Sequence, residues 1–599
     1  MTEFLLFNGF TPLRRSPADL FLDNGIGMLR ANLKRAEIDF EINDPISLDK
    51  IQEFNHAELN ASLRHLFKKQ IFGETALRPD EYAKLLEQYQ EMLAFHQHKM
   101  HQMLEDISDH VAAKQIPIVG IKLWAGSTFQ YCIELCELIG KKSPETLLVA
   151  GGPQVNCYSF EGQILKLTPF DVAIYSEGEH ALLQLILCCR YKHTKRKMLA
   201  AVQNANIPNC IYRAGKDVIV NPVEVADVNE KCFPEYDDLN GKVPVHTIVD
   251  ALGCDYGKCS FCIHPCIYPK FRKRTPQLIV DEMVHMVRQG IGLFSFTASD
   301  TPLPHAVRIS EEILKRKLKI DFTMLTRARR NAHKHTEHIT EQFRVIVRAG
   351  LKSVFFGVES GNDHVLNEVM NKGVTANDMA VTMDCLRNAA KQESKWVNII
   401  ASFIYPVPLP LELKNKGLDS QTVLSDNLKL LKRMQPDSFH AIPGLLYPGT
   451  RWYTHPEEYD IHFDRETFPQ KWITQEFSSH GYVTLGKTSL FSFGTQPFHE
   501  MIQESIEFMR KGNALGIPSD LWEEQFIFAR AANITGIANL QRLSEDLHLD
   551  LLTCNDKNTR YLYDAASRYS RSLALSNTHL FSDTSEPSDE NEPSQSAAV

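Results

Sequence analysis

Residues 245–262 read VHTIVDALGCDYGKCSFC. A run with strand character, Val245–Leu252, leads directly into a loop carrying Cys254, Cys259 and Cys262. Three thiolates on one short loop can hold three irons of a [4Fe–4S] cluster and leave the fourth open to a ligand. Gly253 and Gly257 allow such a loop to wrap closely. The competing reading is a zinc knot with Cys266 or His264 as fourth ligand. Zinc knots usually use two separated cysteine pairs, and no second pair lies nearby.

Downstream of this loop the chain alternates. Strand character recurs at 292–298, 319–325, 353–358, 397–404 and 437–445, with helical periodicity between. One helix start is well marked: Thr275 can cap it and Pro276 can take its first position. Ile279, Val280, Met283, Val284 and Val287 then fall on one face. The expectation is a partial, TIM-like β/α barrel over 245–455, with chemistry at the carboxyl ends of its strands. Upstream, strands at 4–7, 38–42, 117–123, 146–150 and 171–175 alternate with helices, the first over 19–35. This pattern predicts a doubly wound, Rossmann-like α/β domain over 1–230, with a helical insertion at 47–113. Residues 231–244 read as a linker and 456–580 as mainly helical, including helices at 497–511 and 520–533. The tail, 581–599, is acidic and rich in Ser and Pro, and is expected to be disordered.

Composition narrows the function. With 599 residues, more than one core is expected. A net charge of −9 and the lack of a long basic run argue against nucleic acid as partner. No run of apolar residues is long enough for a membrane span, and the N-terminus reads as a strand, not a leader. The thirteen cysteines are mostly scattered, which fits a reducing, cytoplasmic setting and not a disulfide scaffold. His96, His98 and His101 lie close in sequence, and a solvated helix face is the expectation for them.

The cysteine loop resembles that of the radical S-adenosylmethionine (SAM) superfamily, whose usual pattern is C-x3-C-x2-C with an aromatic before the last cysteine. Phe261 supplies the aromatic, while the first spacing here is C-x4-C. Further resemblances follow in order. FTASD, ending at Asp300, matches the end of the second barrel strand, and TRAR, with Arg327 and Arg329, the end of the third. GVESGNDHVLNEVMNKG, 357–373, matches the fourth, and PGT at 448–450 a late turn. The resemblance implies a [4Fe–4S] cluster on Cys254, Cys259 and Cys262, with Cys266 as possible substitute for Cys254. It implies that Glu359 and Ser360 hold polar groups of SAM, that Arg327 pairs its carboxylate, and that Phe261 and Asp300 belong to the same site.

The N-terminal domain resembles the cobalamin-binding domain that precedes many radical SAM barrels. LWAGSTF (123–129), VAGGPQV (149–155) and YSEGEHALLQLI (175–186) each follow a strand. By that resemblance Ser127, Gly151, Gly152 and Glu177 would line the cobalamin site. The D-x-H-x-x-G motif for a lower cobalt ligand is absent, and FNGFTPL stands there instead. The implied function is a cobalamin-dependent radical SAM C-methyltransferase. It would use a 5′-deoxyadenosyl radical and methylcobalamin on a peptide or natural-product substrate, with an electron donor such as flavodoxin or ferredoxin. The alternative is a radical SAM cyclase, oxidase or epimerase with a vestigial cobalamin domain, and a zinc-binding scaffold ranks last. A methylthiotransferase is disfavoured because Cys132, Cys136 and Cys157 do not match the second-cluster pattern.

Overall fold

The computed structural model describes residues 2–12, 20–73, 77–158, 162–236, 242–474 and 490–580. The expected acidic tail at 581–599, and part of the expected linker, lie outside the described residues. The first half contributes β1 (Phe4–Asn8), β2 (Phe21–Leu22), β3 (Phe40–Asn43), β4 (Ile118–Lys122), β5 (Leu147–Gly151) and β6 (Val172–Ile174). A hairpin, β7 (Cys210–Ala214) and β8 (Asp217–Val220), follows. The first sheet has the order β3-β1-β4-β5-β6-β7-β8. It is parallel through β6 and ends in the antiparallel hairpin. Helices cover both faces, so β4, β5 and β6 are near-continuous buried apolar runs.

The second sheet is built from β9 (Val243–Ile248) and, after a two-residue pair β10 (Ala251–Leu252) and β11 (Arg272–Lys273), from β12 (Leu293–Phe296), β13 (Asp321–Thr326), β14 (Leu351–Glu359), β15 (Asn398–Ile404) and β16 (Ser438–Ile442). Its order is β16-β15-β14-β13-β12-β9-β2, all parallel, which is an open β/α barrel. The seventh strand is a correction. Periodicity suggested one helix from residue 19, but Phe21 and Leu22 form β2 beside β9. The helix starts at Asn24, where Asp23 accepts a hydrogen bond from the Ile26 amide at 3.0 Å. β9 likewise begins at Val243, inside the stretch read as linker. At 276–288 the structure keeps Pro276 in the first turn, but the Thr275 side chain makes no cap, and its amide donates to Asn229 Oδ1 at 2.9 Å.

The insertion forms helices Leu48–Gln52, Ala57–Phe72 and Pro79–Lys114. In the last of these, Leu85, Tyr89, Met92, His96, Met100, Leu104, Ile107 and Val111 are buried at three- and four-residue intervals. His96 therefore belongs to the core, not to a solvated face. Its ring bonds the Phe54 carbonyl at 2.8 Å, and burial pushes its pKa down to about 4. His98 and His101 are exposed, facing Gln102 and Glu134. The C-terminal helices Phe498–Ala514, Glu523–Ala531, Ile537–Thr553 and Lys557–Leu575 close the barrel from the other side. The seat is tight: a methyl on Gly292, just before β12, would lie 2.5 Å from Leu573 Cβ.

Candidate functional site

The carboxyl ends of the barrel strands meet around the cysteine loop. Gly253 holds a φ of +84° and starts the loop where a Cβ would press on the Lys270 carbonyl, 3.0 Å away. The outer side of the loop is pinned by Asn371: its Nδ2 donates to the Lys258 carbonyl at 2.9 Å, and its own carbonyl accepts from Tyr256 Oη at 2.7 Å. Burial raises the Cys259 thiol and pushes Cys262 up to about 12, with Cys254 adding to both shifts. Cys266 does not join them. It is exposed on the short helix His264–Ile267, and its Sγ donates to the Gly449 carbonyl at 3.2 Å, in the PGT turn. His264 faces the Ser299 hydroxyl at 2.7 Å. Among the described residues, the close group of donor atoms is Cys254, Asp255 and Asp300, and it takes in neither Cys266 nor His264, nor Cys259 and Cys262.

Beside Cys254, the carboxylates of Asp255 and Asp300 complete a group whose donor atoms lie within 4.8 Å of one another. Asp300 is buried. Burial, with Asp255 alongside, pushes its carboxyl up to about 6. One Asp300 oxygen accepts from the Arg327 amide at 3.1 Å, and the other has no partner. Asp250, near the end of the first barrel strand, is fully buried and pushed up to about 7, first by desolvation. Arg327 lies 3.9 Å over the Tyr256 ring and donates to the Lys372 carbonyl at 2.7 Å. Phe261 packs tilted against Trp452, with centroids 5.7 Å apart.

The fourth strand ends in a bulge. Glu359 takes a left-handed φ of +65°, and its carboxylate accepts from Lys372 Nζ at 2.6 Å, both groups buried. Ser360 is buried, and its hydroxyl donates to Asn427 Oδ1 at 3.1 Å while accepting from the Asn362 amide. Gly361 passes so close to the helix Ser420–Met434 that a Cβ would lie 2.4 Å from the Asp426 carbonyl. Lys372 and Asn427 are site residues that sequence reasoning missed. Lys372 stood inside the quoted 357–373 segment without a role, and Asn427 carries no local signal.

The first sheet presents its carboxyl ends to the same region. A cavity of about 510 Å³ runs between the domains. Gly151, Gly152 and Glu177 line one side, and His264, Ile267 and Tyr268 the other. A Cβ on Gly151 would meet nothing within 4 Å, and Gly152 has a φ of +93°. Glu177 is buried between cations: Arg272 binds one oxygen and Lys231 lies 3.5 Å from the other. Ser127 stands apart from this cavity. It opens the helix Ser127–Lys142 with its hydroxyl 3.0 Å from that of Thr11.

With this geometry in view, the comparisons with known proteins are specific. The model of the radical SAM superfamily matches residues 248–402. This part of the chain is a radical SAM domain. It starts on β9 and takes in the cysteine loop, Asp300, Arg327 and the Glu359–Ser360 bulge. The anaerobic magnesium-protoporphyrin IX monomethyl ester cyclase of Rubrivivax gelatinosus is 27% identical over 251 residues, which is 39% of this chain and 42% of that protein. The chain thus spans less than half the length of that curated relative. Two solved structures share the fold of this chain over most of its length. The cobalamin-dependent SAM radical enzyme OxsB, with aqua-cobalamin and SAM bound, superposes with a TM-score of 0.52 at 16% identity, over 97% of this chain and 79% of that one. The radical SAM methyltransferase TsrM of Kitasatospora setae, with cobalamin and a [4Fe–4S] cluster bound, gives 0.51 at 15% identity, over 75% and 77%. No helix among the described residues is long and apolar enough to cross a membrane.

Proposed function

We propose that this chain is a cobalamin-dependent radical SAM enzyme that methylates an unreactive carbon of a peptide or small-molecule substrate. The observation that carries the reading is the cavity between the domains, where the glycine-lined strand ends of the first sheet face the helix that follows the cysteine loop. The donor chemistry fits the groups concerned. Cys254, Cys259 and Cys262 are soft ligands of the kind that hold iron–sulfur clusters. The unpartnered Asp300 oxygen, the Arg327 guanidinium and the Glu359–Ser360 bulge would receive the amine, carboxylate and ribose of SAM. The open space at Gly151 and the left-handed turn at Gly152 fit close approach of a large flat ligand, with Glu177 at its edge. When bound, the cluster with SAM supplies a radical that abstracts hydrogen, and cobalamin supplies a methyl carrier. The chain's own part is to seat both groups at one interface and to exclude water from it.

A second reading, a cyclase or other rearrangement without methyl transfer, is favoured by one finding: the curated relative is named a cyclase. The two separate experimentally. The protein is expressed with cobalamin, reconstituted anaerobically with iron and sulfide, and assayed for iron, cobalamin and release of label from methyl-labelled SAM into product. Bound cobalamin, a four-iron cluster and labelled product support the first reading. Deoxyadenosine formation with no labelled product in any acceptor screen moves the second ahead. A chain that holds zinc and no iron sinks both.

A further inference from the structure

The barrel has a floor supplied by the C-terminal region. The chain enters it beside β16, where Ser519 makes a parallel bridge to Phe439. The helix Glu523–Ala531 then runs back toward the amino ends of the strands: Arg530, near its end, lies 4.1 Å over Trp396, just before β15. Its start, at Trp522, Glu523 and Glu524, is therefore the part turned toward the carboxyl ends. Glu524 accepts from the Ser295 and Thr323 hydroxyls at 2.7 and 2.8 Å, two residues paired across β12 and β13. Glu523 is only 5% exposed, and one of its oxygens is buried without a hydrogen-bond partner. Buried glutamates elsewhere meet cations: Glu177 has Arg272, Glu282 has Arg274 and Glu359 has Lys372. No Lys, Arg or His charge acts on Glu523 or Glu524. Burial raises both, and Glu524 raises Glu523 further. Beside them stands an apolar wall. Trp522 stacks on Phe355 and packs 4.4 Å from His440, yet it is 36% exposed. Ile442, two residues beyond His440 and so on the same face of β16, is 48% exposed.

We propose that Glu523 and Glu524 form the floor of the substrate site and bind the cationic nitrogen of an aliphatic amine, such as a lysine side chain of a peptide or a free polyamine. The inference rests on the radical SAM reading and adds the class of substrate. Two carboxylates drawn out of water repel each other, and a cation beside them offsets the penalty that burial imposes. An organic cation fits better than a metal ion. Calcium takes about six to eight oxygens, whereas the described residues gather no third His, Cys, Asp or Glu donor with these two. The exposed Trp522 ring offers an ammonium group and its methylene chain the attraction that an indole face exerts on cations. Length agrees as well. Arg327 and Glu359 lie four residues beyond Thr323 and Phe355 along the chain, about 13 Å of strand. An ammonium held at the floor on a chain of several methylenes therefore leaves the rest of the substrate near the strand ends, beside the groups proposed to receive SAM.

The test uses the full chain, reconstituted with iron and sulfide and supplied with SAM. The probes are Nα-acetyl-lysine amide and spermidine, with the uncharged Nα-acetyl-norleucine amide, magnesium and calcium as controls. Binding is read by isothermal titration, in cluster-loaded and in iron-free protein, and SAM affinity by equilibrium dialysis. At least one amine is expected to bind and the norleucine amide to fail. Binding of the lysine amide alone marks a peptide substrate, and binding of spermidine alone a free polyamine. Glu523→Gln and Glu524→Gln keep the side-chain shape. Each should weaken the amine by roughly tenfold to a hundredfold, with SAM affinity and denaturant midpoint kept. Failure of both amines in the cluster-loaded native protein, or equal binding of the norleucine amide, overturns the proposal without need of a variant. So do glutamine variants that hold the amine as tightly as the native chain. Magnesium or calcium that binds in place of the amine, and is lost in the same variants, overturns it in favour of a metal site. Failure to load iron overturns the functional reading instead, and amine binding that the iron-free chain keeps and the glutamine variants lose would still uphold the floor.

Discussion

Asp250 illustrates how one buried group sets a pH dependence. Its carboxyl is held at about 7, against an ordinary 3.8, because burial disfavours the charged form. Below the ordinary value both folded and unfolded chains carry the proton, and there is no effect. Between about 4 and 7 the unfolded chain releases the proton while the folded chain keeps it, so stability falls as pH rises, by at most about 4 kcal/mol. Urea midpoints at successive pH values should decline over this window and decline less in Asp250→Asn. Equal slopes in the two proteins would falsify the assignment. The cysteines give a second residue-scale prediction. Alanine at Cys254, Cys259 or Cys262 should abolish stable iron binding after reconstitution. Cys266→Ala should leave it intact, since that thiol is turned onto Gly449. An iron-free Cys266→Ala protein with an iron-loaded Cys254→Ala protein would reverse the ligand assignment.

At the scale of elements, the end of the fourth barrel strand depends on a helix far along the chain. Asn427, on the helix Ser420–Met434, accepts from both the Ser360 hydroxyl and the Gly361 amide. The backbone can approach this closely only because residue 361 lacks a side chain. Gly361→Ala should push strand end and helix apart at a cost of about 1–3 kcal/mol. It should also lower SAM affinity, read by equilibrium dialysis of the reconstituted protein. An alanine variant with native midpoint and native affinity would show that the bulge relaxes freely. The segment before and at the start of the helix Glu523–Ala531 shows the same dependence from the opposite side. Glu524 accepts from Ser295 of β12 and Thr323 of β13 at 2.7 and 2.8 Å, and Trp522 stacks on Phe355 of β14. A C-terminal helix start thereby reaches inside the barrel, where burial raises both Glu523 and Glu524.

At the scale of the molecule, the parts that look separate in sequence are tied together. The insertion helix Ala57–Phe72 binds the C-terminal helix Ile537–Thr553 through Arg64 and Asp550 at 2.7 Å. The helical insertion and the C-terminal region are therefore partly spent on each other. The first domain is tied to the segment after the cysteine loop at Glu177, buried between Arg272 of β11 and Lys231. Removing one member of a buried ion pair strands the other, so Arg272→Ala should destabilise by about 2–5 kcal/mol. The loss should be visible as a lower denaturant midpoint, and Glu177→Gln in the same background should recover part of it. A midpoint that does not move in Arg272→Ala would mean that water screens the pair.

The sequence by itself determined the strand–helix alternation, the cysteine loop and the order of the motifs after it. These are local signals: apolar period, glycine spacing and residue types within a few positions of one another. It therefore also gave the open barrel and the doubly wound sheet before it. Tertiary structure alone decided which partners complete the site. Phe21 and Leu22 are too short a run to show a strand period, and only β9 makes them one. Glu359 finds Lys372 because the chain folds back after the bulge. Ser360 finds Asn427 across 67 residues, and Glu177 finds Arg272 across 95. Such pairs leave no trace in spacing, since their geometry is set by how buried faces pack and not by the register of any one element.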